Sequence, residues 1–511
     1  MLILAWPVSP FTPFIFIALV PLLWLTTLSL NRLQYAALIY GSMLIWNAGT
    51  TWWIWNSTAE GALSAILANS LLMTLPWLGY FSIRKHVSAP MANLAFVAFW
   101  MSFEYLHLQD WGLSWPWLTL GNAFAGRPEW IQWYEYTGSS GGTLWVLISN
   151  LAAFMLLQNS ASWKQKLIAP AMQFFLGWIL LPLICSKLLL PNADQNKQPP
   201  NVVVVQPNVD PYKEKFAEGT QLKQIETLIQ LTESKTDTHT RLVVWPETAI
   251  PVQVWEDEIA INIFYQPVWD FLARHPQVSI LTGIDSYRRV EGEEINDFST
   301  RNPEGTNFYY KAYNTAALLS AGKQYQLYHK SKLVPGVETL PSWLNWMGKI
   351  FESFGGISGT LATDKERIVL QQQNGFGVAP AICYESIYGE FLTSYVRKGA
   401  NVIGIVTNDG WWGNTPGHQQ HMQYARLRAI ETRRWVMRSA NTGISCFIDP
   451  AGNIFLPQPW WTQAAISMYI PPSNEQTFYV RYGDLLSKTA LFISLITLLF
   501  LSGRIWISRK H

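Results

Sequence analysis

A multi-pass α-helical membrane unit joined to a layered α/β domain is the fold class that this 511-residue chain predicts, on three observations. Hydrophobic residues make up 49% and charged residues only 14%, a low charge density for a soluble chain of this length. Apolar runs long enough to cross a hydrocarbon core, which takes about 20 helical residues, gather at the two ends of the chain. Between them lies a long segment in which short β-branched runs alternate with helical patterns. The 27 tryptophans fit the first observation, because an indole pairs an apolar body with a polar tip suited to the bilayer interface. A net charge of +2 argues against nucleic acid as a partner. Cys185, Cys383 and Cys446 are too few and too scattered for a disulfide framework or a zinc site, and no metal or other cofactor is implied.

Seven stretches are candidate spans: Phe11–Leu30, Tyr35–Ile54, Ala62–Phe81, Met91–Leu108, Thr143–Gln158, Leu167–Leu190 and Thr489–Ile507. Met1–Pro7 is apolar but too short to cross, which leaves the count at seven or eight. Lys and Arg near helix ends resist translocation. Arg32, Arg84 with Lys85, Lys164 with Lys166, and Arg504 with Arg509 and Lys510 all fall on one side under this order. The opposite side, which by parity holds the large segment 192–485, is outside; in a Gram-negative cell this is the periplasm. The expected organisation is therefore N-terminal transmembrane helices over 1–191, a soluble domain over 192–485 entered through the linker Asn192–Pro200, and a C-terminal helix with cytoplasmic tail over 486–511.

Within the soluble segment, "NVVVVQPNV" from Asn201, "RLVVWPE" from Arg241, "VSILTGI" from Val278, "YNTAALLS" from Tyr313, "GVAPAICYE" from Gly377 and "ANVIGIVTND" from Ala400 read as strands. Leu222, Ile225, Leu228 and Ile229 recur at helical spacing, as do Met422, Ala425, Ala429 and Ile430. Near-continuous apolar runs suit strands covered on both faces, hence a layered sheet with outer helices.

Reactive groups in open α/β sheets collect at the carboxyl ends of strands, where side chains face a crevice. Glu247 closes "RLVVWPE", Lys330 follows "YQLYH" and Cys383 closes "GVAPAIC". A carboxylate that takes a thiol proton, and an ammonium that stabilises an oxyanion, complete a set for nucleophilic catalysis at sulfur. Spacing alone does not show that they converge. Lys332, two residues on, would share the strand face of Lys330, and Glu247 alone would equally suit a helix cap.

"VVWPETAIP", "YHKSKLVPGVETLP", "AICYES" and "VTNDGWWG", in this order, resemble the signature blocks of the nitrilase (carbon–nitrogen hydrolase) superfamily. The resemblance implies an αββα layered sandwich and a triad of Glu247 as general base, Lys330 and the nucleophile Cys383; the family's spacing favours Lys330 over Lys332. It also implies supporting roles for Glu338, eight residues after Lys330, and for Tyr384 and Glu385. Trp411 and Trp412 match an aromatic pair lining the site. Val334-Pro335-Gly336-Val337-Glu338 departs from the family's Val-Pro-Phe-Gly-Glu in the loop before the second carboxylate.

With membrane helices on both sides, "GLSWPWLTLG" from Gly112 and "HQQHMQYARLRAIETRRWVMRSANTG" from His418, the chain resembles the apolipoprotein N-acyltransferase family over nearly its whole length. That resemblance implies a multi-pass protein of the bacterial inner membrane, monomeric, with its catalytic domain in the periplasm. The reaction implied is transfer of an acyl chain from a phospholipid such as phosphatidylethanolamine, through a Cys383 thioester, to the α-amine of a diacylated apolipoprotein. The alternatives are a membrane-tethered amidase or nitrilase-type hydrolase, which gives its acyl group to water, and a transporter or scaffold with an inert nitrilase-like domain. The complete Glu, Lys and Cys set argues against the last.

Other residues carry weaker signals. His418 and His421 lack a further ligand cluster and read as helix surface or core. Cys446 reads as a packed strand residue, and Cys185 lies in a span. Glu104 is costly in an apolar helix and reads either as lining a lipid access route or as pairing with a nearby helix. The aromatic loop Trp111–Trp133 reads as interfacial anchors. The four arginines of "RLRAIETRRW" from Arg426 read as a solvated helix face with internal pairing, or as a contact for lipid head groups.

Overall fold

The computed structural model describes the chain apart from residues 110, 113, 159–168, 192–197, 304, 340–359, 374 and 509–511. Lys164, Lys166, Arg509, Lys510, the first residues of the sixth stretch and most of the linker lie outside the described residues.

The membrane unit is built from α1 (Arg32–Thr51), α2 (Ala59–Ile83), α3 (Ala89–His107), α4 (Ser139–Gln158) and α5 (Pro170–Leu188). The last span is the C-terminal Leu485–Ser508 helix. Four of these, α2, α4, α5 and the C-terminal helix, are both long and apolar enough to cross a membrane, while α1 and α3 are helices of 20 and 19 residues. A buried polar pair joins α1 to α2, with Asn69 Nδ2 donating to Asn47 Oδ1 at 2.7 Å, the kind of side-chain link that holds helices together where lipid supplies no hydrophobic drive.

The first predicted span is corrected by the structure. Phe11–Leu30 is not one helix but a 3₁₀ turn, Thr12–Phe16, and a short helix, Val20–Leu25. Pro13 and Pro21 break the ladder, and Asn150 on α4 satisfies the freed backbone: its Oδ1 accepts from Leu19 N at 2.7 Å and its Nδ2 donates to Ile15 O at 2.8 Å. Irregular backbone survives at membrane depth only when protein groups replace the missing hydrogen bonds.

The α/β domain adds α6 (Gln221–Glu233), α7 (Gln266–Arg274), α8 (Gly389–Arg397) and α9 (Pro416–Thr432), which makes the C-terminal span α10. Its strands are β1 (Val202–Gln206), β2 (Leu242–Val244), β3 (Ile250–Trp255), β4 (Ser279–Arg289), β5 (Thr300–Arg301), β6 (Tyr310–Ser320), β7 (Gln324–His329), β8 (Leu370–Gln371), β9 (Gly377–Ile382), β10 (Val402–Thr407), β11 (Val436–Ala440), β12 (Cys446–Ile448), β13 (Ile454–Phe455) and β14 (Ala464–Met468). One sheet runs β14-β1-β2-β4-β6-β5, with β3 on β4 and β7 on β6; the other runs β13-β12-β11-β10-β9-β8.

Period-two alternation divides the first sheet's side chains. Val203, Val205, Val243 and Ile280 pack against α6 and α7, whereas Val204, Val244, Leu281 and Leu318 pack with Val378, Val402 and Val406 of the second sheet. The result is an αββα sandwich. The sheets approach closely at Gly404, where a Cβ would lie 2.4 Å from Leu281. The inter-sheet core continues through Tyr384, Tyr424 and Trp117 into the helical bundle, so the two units share one hydrophobic interior.

Two further readings are revised. Leu222, placed by periodicity on the apolar face of α6, is exposed. Arg428, Arg433 and Arg434 are buried and contact neither solvent nor a lipid surface. Arg428 pairs with Glu431 at 2.8 Å and donates to Ile387 O, and Arg433 pairs with Glu135 of the aromatic loop at 2.7 Å. Glu431 in turn accepts from Ser139 N at the start of α4. The internal pairing is present; Arg433, which also donates to Gln132, is the arginine that fastens the α/β domain to the membrane unit, while Arg428 and Arg434 satisfy groups within the α/β domain.

Candidate active site

Three strand ends bring the reactive groups together. Beyond β2 the chain passes Trp245 and Pro246 to Glu247, whose backbone packs against Gly283 of β4, where a Cβ would lie 2.5 Å from the Glu247 Cα. Any larger residue at position 283 would push the carboxylate away. Glu247 Oε1 accepts from Asn314 Nδ2 at 2.8 Å and from Lys330 Nζ at 3.4 Å, and Oε2 accepts from Asn408 N at 3.1 Å. Lys330 lies just past β7 and is 1% exposed. Its ammonium donates to Glu338 Oε1 at 2.7 Å. Burial opposes that charge, but Glu338, Glu247 and Cys383 outweigh it and hold the Lys330 pKa above its ordinary value, so the lysine stays cationic.

β7 ends at His329, so Lys332 does not share a strand face with Lys330. It turns away, its ammonium 5.5 Å from the Tyr388 ring centroid. The altered loop before Glu338 closes a tight turn with Gly336 at φ 78°, a conformation open to glycine, and Glu338 Oε2 accepts from Val334 N at 2.8 Å. Glu338 therefore reaches Lys330 despite the departure in sequence.

Cys383 follows β9 with φ 50°, a left-handed conformation that is costly for a residue with a Cβ. The turn aims the thiol off the strand end. Burial raises its pKa, Glu247 raises it further and Lys330 lowers it; the resting sulfur is thus a thiol within the field of both groups. Ser386 Oγ donates to Cys383 O at 2.7 Å, and His421 Nε2 lies 3.1 Å from the same oxygen. His421 is held by Asp409 at 3.0 Å, and Asp409 by Arg438 at 2.7 Å. His421 is thus a core residue beneath the nucleophile.

Glu385 sets the distance between the turn that carries Lys330 and the turn that carries Cys383. Its Oε1 accepts from Ser331 N at 2.7 Å, Tyr328 Oη at 2.6 Å and Lys332 N at 3.2 Å; its Oε2 accepts from Ile382 N at 2.9 Å. Tyr384 points the other way: its hydroxyl donates to Ser114 O at 2.7 Å, and its ring stacks 5.7 Å from Trp115.

A cavity of about 600 Å³ opens on Glu247, Glu338, Asn314, Asp285 and Trp411, with Thr58 and Gly61 at the start of α2 on its opposite wall. Trp411 lines it, but Trp412 does not. Trp412 packs against Trp53 at 4.9 Å and Trp117 at 5.8 Å, within the joint between the two units. Sequence reading also missed Asn314, the polar residue near the start of the β6 run, Lys215, buried behind Glu247, and Asp285, which lines the cavity. Lys215 Nζ donates to Glu247 O at 3.0 Å. Burial lowers the Lys215 pKa, while burial raises that of its neighbour Asp285. Lys215 and Asp285 lie in no recognisable block, so only their convergence reveals them. Glu104 is fully engaged with neighbours, accepting from Trp100 Nε1, Leu120 N and Thr143 Oγ1 at 2.8, 2.8 and 2.6 Å.

Residues 201–477 match the family described as Carbon-nitrogen hydrolase, so the class defined by fold and site is a carbon–nitrogen hydrolase unit carried on membrane helices. Residues 1–152 match the family described as Apolipoprotein N-acyltransferase N-terminal domain. An apolipoprotein N-acyltransferase of Chlorobaculum tepidum is 31% identical over 508 residues, covering 96% of this chain and 92% of the relative. One of Azotobacter vinelandii is 30% identical over 428 residues, covering 82% and 75%. This chain belongs to the apolipoprotein N-acyltransferase family. Among solved structures, Nit3 of Saccharomyces cerevisiae, a member of branch 10 of the nitrilase superfamily, is 19% identical and covers 53% of this chain and 89% of its own, with a TM-score of 0.37.

Proposed function

We infer that the protein is a membrane acyltransferase that N-acylates the terminal amine of a diacylglyceryl-cysteine apolipoprotein, taking the acyl chain from a phospholipid such as phosphatidylethanolamine. The observation that carries this reading is that Glu247, in contact with Lys330 and within the field of Cys383, opens on a cavity whose far wall is the start of a membrane helix. The catalytic unit is taken as 192–485, in the periplasm of an inner-membrane monomer.

In the first half-reaction Glu247 takes the Cys383 Sγ proton as the sulfur attacks the ester carbonyl, and Lys330 stabilises the oxyanion. The C–O bond then breaks, and the departing lysophospholipid alkoxide takes the proton back from Glu247. In the second, the acceptor amine attacks the thioester, the C–S bond breaks, and Glu247 carries a proton from the amine nitrogen to sulfur. The neutral resting thiol suits this route, since the base is needed only as the bond forms.

Purified protein incubated with acyl-labelled phospholipid gains a hydroxylamine-labile label that Cys383→Ala abolishes. Addition of a diacylated lipopeptide then moves the label to its amine. Label that persists in Cys383→Ala removes the assigned nucleophile; free fatty acid in place of N-acyl peptide supports the hydrolase instead.

A further inference from the structure

A second cavity, of about 360 Å³, lies where the two units meet and shares no lining residue with the catalytic one. Its floor is formed by Tyr388, Phe391 and the rest of the turn entering α8, and its walls by the ends of α3, α4 and α10 together with Arg367 and Arg397. The volume is within the range of small-ligand sites, about 300–1,000 Å³.

The charges there are unevenly engaged. Among the described residues the three lining carboxylates are engaged: Glu390 accepts from Lys488 at 2.6 Å, Asp484 from Ser140 Oγ at 2.8 Å and Ser487 N at 2.9 Å, and Glu104 from Trp100 Nε1, Leu120 N and Thr143 Oγ1. The two guanidiniums contact hydroxyls, carbonyls and a ring. Arg367 sits 4.3 Å over Phe391 and donates to Ser331 Oγ at 3.0 Å; Arg397 donates to Thr393 Oγ1 and Val480 O at 2.9 and 2.7 Å. Guanidiniums that face a cavity, with no carboxylate partner among the described residues, are suited to bidentate capture of a phosphate.

The rim supplies the second half of an amphipathic ligand. Leu106, Phe478 and Leu485, chain neighbours of the lining residues Tyr105, Tyr479 and Asp484, are exposed, as is Tyr482. The rings of Phe478 and Tyr482 lie 4.6 Å apart, tilted by 44°. Exposed aromatics at helix ends mark the head-group level of a bilayer, so a ligand with its phosphate on Arg367 and Arg397 would lay its tails along α3 and α10, whose ends wall the cavity. We propose that this joint cavity binds the phosphodiester head of a membrane phospholipid, as a site separate from the catalytic pocket.

The test uses full-length Cys383→Ala protein, which does not turn lipid over. After delipidation in detergent it is titrated with dioleoyl phosphatidylethanolamine, and retained lipids per chain are counted by native mass spectrometry. R367Q/R397Q is expected to retain one lipid fewer, and to need about tenfold more lipid for that last site. R367K/R397K, which keeps the charge, recovers part of the loss. Should the double variant fail to fold, R397Q alone, at the exposed rim, is expected to weaken the last site by about threefold. The proposal is overturned if the glutamine variants keep the parent lipid count, if dioleoylglycerol without phosphate is retained equally, or if inorganic phosphate alone displaces the lipid, which marks a free-anion site. Thioester formation is read separately in the Cys383 protein, so failure of the proposed transfer reaction and failure of this site are distinguishable.

Discussion

Replacing Glu385 by Gln exchanges one oxygen for nitrogen at the point that holds the Lys330 and Cys383 turns together. Three donors converge on Oε1 and one on Oε2. The amide keeps its oxygen toward Ser331, Lys332 and Tyr328, which sets its NH₂ against the N–H of Ile382. One charge-assisted bond is lost and three become neutral, a cost of about 3–5 kcal/mol at a fully buried site. Part of that strain relaxes by moving the two turns apart, and a displacement near 1 Å between nucleophile and ammonium costs about 10²-fold in rate. The assay is the initial rate of hydroxylamine-labile acyl-Cys383 formation, run beside thermal unfolding in the same detergent. Glu385→Gln acylating at the parental rate while melting lower would show that the carboxylate only supports the fold; parental values in both would refute the network itself.

Glu247→Gln keeps the bond from Asn314 but cannot take a proton, so acylation should fall by about 10²- to 10⁴-fold, read by the same labelling, and its NH₂, set against Asn408 N, should also lower the melting temperature. Trp412→Ala should open a cavity between Trp53 and Trp117 and destabilise the protein by about 3–5 kcal/mol, seen as a lower melting temperature; an unchanged melt would mean that the joint does not depend on this ring. His329 gives a pH signature. Burial, the largest influence, lowers its pKa, but Asp364 at 3.0 Å and Glu256 at 2.8 Å outweigh it, and the net shift is upward. A folded pKa above the unfolded value of about 6.5 means that the stabilisation is complete below that pH and is lost as pH rises through the folded value. Burial raises the Asp364 pKa, but the hydrogen bonds and charge of His329, with Arg288 a smaller influence, hold it below its ordinary value, so that carboxylate stays charged in the window. The melting difference between the parent and His329→Gln should therefore shrink as pH rises from 6 to 9; a constant or growing difference contradicts the assignment.

Much of the site was legible because its parts sit at strand ends in blocks whose residue types are themselves chemical. Glu247, Lys330 and Cys383 could each be named from the chain, as could the αββα layering, since apolar runs such as "NVVVVQPNV" permit few other arrangements. Lys330 and Lys332 could not be separated by periodicity, because the strand ends at His329 and the alternation on which the comparison rests stops there. The first span misled for a related reason: composition reports hydrophobicity, while helical continuity depended on two prolines and on a side chain, Asn150, about 130 residues away in the chain.

The sequence by itself determined which residues are apolar enough to enter lipid, which runs form strands, and which side chains carry nucleophilic chemistry, because these follow from local composition and from order along the chain. Tertiary contacts alone reveal that Trp412 and Arg433 belong to the joint between the units, that Lys215 and Asp285 stand near the base, and that a second charged cavity exists. Those facts depend on contacts between residues far apart in the chain, and the free energy of such a contact has no trace in the neighbours of either residue.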